Sequence, residues 1–340
     1  MSNQMRAIRI KTEHLYNPLG IDIAHPRIEW NCEGGSRQTA YEITARTDGK
    51  IVWETGKVSS GEMSVRYGAK LHSRQCVELT ITLYDENGIG KEPVTAWFEM
   101  GFLEKECWQA KWINVEEQNL TQVNTRPVSY ARRRFNVDGT GQGRLYITAH
   151  GIYVAYLNGR RVGDAVLAPG TSEYTKRLEY QTLDVTEYLQ EGENELLVCL
   201  GDGWYRGKSG MNNTGGNLFG DDLSLLAQLE VDGRVVCLTD ENWEASNEGA
   251  IRANGLDFGE RVDATVGDGR FPTEGYHKIR TEDFGYDTLV CSNNVPIREH
   301  ESFQGKLFIT PAGEKVIDFG QNMAGYVSFE TDAKAGQKIR

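Results

Sequence analysis

The stretch from Leu145 to Gly207 restricts the possible folds more than any other part of this chain. Over Ile152–Leu157 the pattern suits an extended strand, whose successive side chains point to opposite faces of a sheet. Asn158-Gly159 follows at once and supplies the two positive-φ positions that a type I′ hairpin needs. A second apolar run, Glu195–Leu200, then stops at Gly201-Asp202-Gly203-Trp204-Tyr205-Arg206-Gly207. Three glycines there surround an acid, two aromatics and a base, the most chemically loaded loop in the sequence.

The same grammar of short alternating runs and glycine turns predicts an all-β chain of tandem β-sandwiches. Over residues 1–103 strand candidates recur at 41–45, 51–54, 77–84 and 96–100, separated by Asp48-Gly49, Ser60-Gly61 and Asn87-Gly88. That spacing suits an immunoglobulin-like or fibronectin type III-like sandwich, without the Cys…Trp…Cys spacing of a true immunoglobulin domain. A seam follows at 101–112, where Trp108 and Trp112 suit either sugar stacking or, more simply, packing of one domain on the next. Residues 104–290 read as a second, jelly-roll-like sandwich with a hairpin at Asp232-Gly233 and one short helical turn at Asp184–Glu187. Residues 291–340 restart the pattern, with strands expected at 315–319 and 326–329, as a further β module of which only the start is present.

With 340 residues, two or three domains are expected. The balance of 37 basic to 49 acidic residues gives a net charge of −12, which argues against nucleic acid as a partner and suits a neutral ligand better. The N-terminal MSNQMRAIRI has no apolar signal core, and no run of 18 apolar residues could span a membrane. Six cysteines lie far apart without a CxxC pair, as expected of reduced thiols in a cytoplasmic protein. The six histidines form no HxH or HExxH pattern and read as surface or hydrogen-bonded residues; no GxSxG elbow or P-loop occurs. GDGWYRG does not match GxGxxG, and no helix is expected after it.

Several ordered motifs carry a resemblance. They are NPLGID (Asn17–Asp22), HPRIEW (His25–Trp30), the 145–207 block, Ala227-Gln228-Leu229, TDENW (Thr239–Trp243), Gly259-Glu260 with Asp263-Ala264, and DFGQN (Asp318–Asn322). In this order the chain resembles the N-terminal modules of bacterial α-L-rhamnosidases, glycoside hydrolase family 78. The resemblance implies a fibronectin-like leader, a jelly-roll-like sandwich and further β modules ahead of an (α/α)₆ barrel. That barrel holds the acid and base carboxylates of an inverting hydrolysis of terminal α-L-rhamnose, so no catalytic residue is carried over and the region is expected to be non-catalytic.

The resemblance also implies, for some members, rhamnose binding with calcium in the second module. A sugar site needs an aromatic face and a few fixed polar groups, and Asp202, Trp204, Tyr205 and Arg206 offer that set. Asn212, Asn213, Asn217, Asp221 and Asp222 follow in a glycine-rich segment, and the oxygens of Asp221 and Asp222 suit calcium, although not at EF-hand spacing. The competing reading makes GDGWYRG a structural corner and the chain a β-module array that supports or docks a catalytic domain, in the same or a separate chain, without binding sugar. Either way the last strands are expected to leave a sheet edge open to self-association.

Overall fold

The computed structural model describes residues 5–88, 90, 93–116, 126–139, 141–208, 215–266, 270–328, 330 and 332. Two compact units divide the chain, Met1–Gly163 with Leu167–Val295, and Asp164–Val166 with Pro296–Arg340. The fold is all-β, as its turn-punctuated alternation predicts.

The first sandwich of the larger unit runs through β1 (Arg6–Thr12), β2 (Leu19–Ile21), β3 (Arg27–Glu33), β4 (Ala40–Thr47), β5 (Lys50–Val58), β6 (Ser64–Arg66), β7 (Cys76–Tyr84) and β8 (Val94–Met100). They form a three-stranded sheet, β1-β3-β6, and a five-stranded sheet, β2-β8-β7-β4-β5. In β7 the alternation of VELTITL becomes burial: Val77, Leu79, Ile81 and Leu83 enter the core with Ile28, Trp30, Ile43 and Phe98. Asp48 and Gly49 take φ of 49° and 74°, closing the two-residue β4–β5 turn.

The second sandwich contains β9 (Trp112–Asn114), β10 (Ser129–Val137), β11 (Gly143–His150), β12 (Ile152–Leu157), β13 (Arg160–Arg161), β14 (Leu178–Asp184) and β15 (Gly192–Gly201). After the four-residue helix α1 (Gly203–Arg206) come β16 (Ser224–Val231), β17 (Arg234–Leu238), β18 (Glu244–Ser246), β19 (Ile251–Gly255), β20 (Gly259–Val262), β21 (His277–Lys278), β22 (Arg280–Glu282) and β23 (Leu289–Cys291). One sheet has the order β13-β12-β15-β10-β18-β21. The other runs β22-β9-β16-β11-β14-β23, with β17 on β16, and β19 pairs with β20 apart from both. Asn158-Gly159 and Asp232-Gly233 sit at positive φ and close two-residue turns, the first between Leu157 and Arg160 and the second between Val231 and Arg234.

Two local expectations need correction. The short helical turn expected at Asp184–Glu187 is 3₁₀ and lies over Thr186–Tyr188, and Asp184 Oδ1 accepts from the Thr186 N–H (3.0 Å). GDGWYRG, expected as a loop, contains the single-turn helix α1, which the Asp202–Arg206 ion pair spans.

β11 and β16 are buried along their whole length. One face, with Leu145, Ile147, Ala149, Leu225, Ala227 and Leu229, fills the second sandwich's core. The other face meets the first sandwich. Arg144 donates through Nε and Nη2 to the two oxygens of Glu99 (2.8 Å each), and Arg74 donates in the same forked way to Glu230 (2.6 Å each). Beside these ion pairs, with the Arg74 guanidinium 4.6 Å from its ring, Phe102 stacks on Tyr146 at 4.0 Å, and Trp108 sits edge-on to both Phe102 and Tyr180. Both tryptophans of the seam are buried.

The smaller unit contains one hairpin, β24 (Lys306–Ile309) with β25 (Lys315–Asp318), and a bridge from Ala165 to Arg298. The strand expected at 326–329 is irregular backbone over 326–328, and Phe329 lies outside the described residues.

Candidate functional site

The Gly201–Gly207 corner is reached where β15 ends. Gly203 sits at φ 53°, and a Cβ there would lie 2.5 Å from Ile152 Cγ2; one on Gly207 would lie 2.2 Å from the Gly203 carbonyl oxygen. Glycine is therefore needed for the chain to reverse this tightly against β12.

The reversal points Asp202 and Arg206 inward. They are 1% and 0% exposed. Arg206 donates to Asp202 Oδ1 through Nε (2.9 Å) and Nη2 (2.7 Å), and through Nη1 to Glu116 Oε2 (2.5 Å) and the Asp221 carbonyl (3.1 Å). Arg126 reaches the other Asp202 oxygen (3.2 Å) and Asn217 Oδ1 (2.9 Å). Asn254 completes the ring, accepting from the Asp202 N–H (2.9 Å) and donating to the Arg126 carbonyl (3.0 Å). Burial raises the Glu116 pKa above the ordinary carboxylate value while the Arg206 hydrogen bond opposes the rise. Burial likewise disfavours the Arg206 cation, but Glu116 and Asp202 outweigh it and its pKa is raised. Removing one member of such a buried set typically costs about 3–5 kcal/mol, because a charge is left uncompensated.

Tyr205 turns to the aromatic side of the corner. Its ring stacks on His150 at 4.5 Å, and His150 stacks on Trp112 at 4.5 Å, with interplanar angles of 8° and 9°. Phe284 meets the His150 ring edge-on at 4.7 Å. Phe219 lies near-parallel to Tyr205 at 6.3 Å, and Tyr174 meets it edge-on. Burial pushes the His150 pKa down to about 4, so the imidazole is neutral at pH 7. Its Nδ1 lies 3.3 Å from Ser224 Oγ. Trp204 is half-buried against the same aromatic cluster.

The four residues expected to hold a sugar thus adjoin one another but face different tasks. Asp202 and Arg206 have their polar atoms engaged inside the protein, and Tyr205 has aromatic neighbours on its ring. Trp204 keeps part of its surface. Asp221 is exposed, while Asp222 Oδ2 accepts from Arg280 (2.8 Å). Asn212 and Asn213 lie outside the described residues. Asp222 Oδ1 and Glu116 Oε1 are buried with no hydrogen-bond partner among the described residues. Calcium takes six to eight oxygens, and among the described residues no group of three or more His, Cys, Asp or Glu side chains could hold a metal ion.

Glu116, Arg126 and His150 escaped the sequence reading because they lie 50 to 90 residues from the loop they serve. The polar residues alternating within the apolar strands β11 and β16 were the available signal for the interface.

Fold and corner together define a class: tandem β-sandwich modules joined by buried ion pairs, with a charged corner closed on itself. Residues 7–104 match the family model of the Rha78A-like N-terminal immunoglobulin domain, and residues 140–301 that of the alpha-L-rhamnosidase N-terminal domain. An alpha-L-rhamnosidase of Alteromonas sp. (strain LOR) is 30% identical over 366 aligned positions, covering 96% of this chain and 39% of the relative. One from Formosa agariphila is 30% identical over 361 positions, covering 97% and 38%. The crystal structure of the native enzyme from Aspergillus terreus superposes with a TM-score of 0.84 at 29% identity, over 94% of this chain and 39% of that one. The chain belongs to the α-L-rhamnosidase family and corresponds to its N-terminal region, spanning about two-fifths of the length of these relatives.

Proposed function

We propose that these modules are the non-catalytic scaffold of an α-L-rhamnosidase, an enzyme that hydrolyses terminal α-L-rhamnose from glycosides. They support or dock a catalytic domain, in the same or a separate chain, and the Gly201–Gly207 corner binds no sugar. The burial of Asp202 and Arg206, with their charges matched internally, carries this reading. The six unpaired thiols support a reducing, cytoplasmic setting.

Titration calorimetry with L-rhamnose at millimolar concentration, with and without a calcium chelator, is expected to give a flat trace. The partly exposed Trp204 favours the second reading, in which a rhamnose-containing carbohydrate binds here with calcium. Heat that vanishes in Trp204→Ala would establish that second reading and sink the first. This chain alone is expected to leave an aryl rhamnoside intact, and enzyme-like turnover would overturn its non-catalytic role.

A further inference from the structure

A different surface of the first sandwich carries two cations, Arg9 and Lys11, beside a single carboxylate, Glu29. In β1, Ile8 pairs with Asn31 of β3 and Lys11 with Glu29, so Arg9 and Ile10 together stand opposite the single residue Trp30. This is a β-bulge, a device that redirects a side chain. It keeps Ile10 in the core, turns Arg9 outward and holds the Arg9 backbone at φ 50°, a conformation a non-glycine residue rarely adopts. Strain of this kind persists where the surroundings impose it and gathers at ligand sites.

Arg9 and Lys11 line a groove of about 390 Å³. Tyr16, which is 60% exposed, lies beneath the Lys11 ammonium at 5.0 Å, and the Asn31 amide and Met63 complete the lining. The one carboxylate in the lining, Glu29, lies 2.8 Å from His14 Nδ1 and 3.8 Å from Arg27. Among the described residues no ion pair engages Arg9 or Lys11. The volume suits a single sugar ring. An exposed tyrosine offers C–H stacking, an amide serves hydroxyls, and two cations serve a negative substituent. Two cations on a chain of net charge −12 are too few for a nucleic-acid track.

We propose that this groove is a binding site for an acidic carbohydrate, a sugar bearing a carboxylate or a sulfate. The choice of carbohydrate rests on the rhamnosidase reading above, but the site is independent of the Gly201–Gly207 corner and of any hydrolysis.

Affinity electrophoresis of the full chain tests it, in gels containing polygalacturonate, dextran sulfate or neutral dextran. Retardation by at least one acidic polymer but not by neutral dextran is expected, and the two acidic gels tell carboxylate from sulfate. Arg9→Gln with Lys11→Gln should weaken the effect at least tenfold. Arg9→Gly, which suits the positive φ and so protects the fold, should weaken it severalfold by itself. A control pair, Lys50→Gln with Arg234→Gln, removes two exposed cations elsewhere and should leave retardation intact. Mobility unchanged by both acidic polymers overturns the proposal, as does an equal loss in the control pair. Because the readout is binding, rhamnosidase activity could fail to appear while the groove still binds, and the reverse.

Discussion

His150 shows how a single side chain acquires a role that its neighbours in sequence do not announce. Placed between Tyr205 and Trp112, it is held neutral by burial, with its pKa pushed down to about 4 from an ordinary 6.5. Between those values the unfolded chain binds a proton that the folded protein refuses. Stability from this residue is therefore complete above pH 6.5 and falls as pH drops toward 4, by up to about 3 kcal/mol. Glu116 acts in the opposite sense, since its raised pKa favours the fold when protonated. Urea titrations of His150→Phe, which keeps a ring in the stack, should show a shallower loss of stability between pH 6.5 and 4 than the parent protein. An unchanged slope would mean that His150 does not titrate on unfolding. The sequence marked Asp202, Trp204, Tyr205 and Arg206 as one loaded loop, and they do lie together. Their direction was not legible, because whether a charge faces solvent or Glu116 depends on a segment 90 residues away, just past the end of β9.

At the scale of elements, several strands with one face on a core and the other toward water were legible, although β1 and β3, which alternate in the same way, were not among the expected strands. β7 and β12 alternate and were read as strands. β16 mixes Leu225, Ala227 and Leu229 with Gln228 and Glu230, polar residues that a lone sheet would show to solvent, yet all are buried because a second module covers them. Those polar residues hint that the face is covered, but which module covers it is set by long-range pairing that the local pattern does not name. The β24–β25 hairpin presents the reverse case. Leu307, Ile309 and Ile317 share one face and are 64%, 66% and 59% exposed. A two-stranded hairpin is marginal in water by itself, and among the described residues no further strand pairs with either edge of this apolar ribbon, an arrangement that invites one. We propose that two copies of the protein pair through this ribbon. Light scattering should give a mass that rises with concentration, and Leu307→Lys with Ile309→Lys should return it toward the monomer. A strict monomer whose hairpin amides resist hydrogen exchange would refute the pairing.

Across the larger unit, the two sandwiches behave as one object because charge, ring stacking and close backbone approach coincide at their junction. Gly101 lies at the centre of that coincidence. A Cβ on it would fall 2.3 Å from Cys291 Sγ and 2.8 Å from the Tyr180 hydroxyl. That hydroxyl accepts from the Phe102 N–H (2.8 Å) and from the Cys291 thiol (2.7 Å), while the Cys291 N–H donates to Asp22 Oδ2 (2.8 Å). Asp22 belongs to NPLGID, so this recognition motif ties the first sandwich to the second. Gly101→Ala must therefore separate the modules or displace Cys291. Either route loses part of a packed, hydrogen-bonded junction, at a cost of about 1–3 kcal/mol. Calorimetric unfolding of the parent should show the two sandwiches melting together, and in Gly101→Ala the endotherm should broaden or split. Adding Cys291→Ala removes the sulfur that the new methyl strikes and should recover part of the lost cooperativity. If Gly101→Ala melts as sharply and at the same temperature as the parent, the junction yields without strain and the modules are not mechanically coupled there.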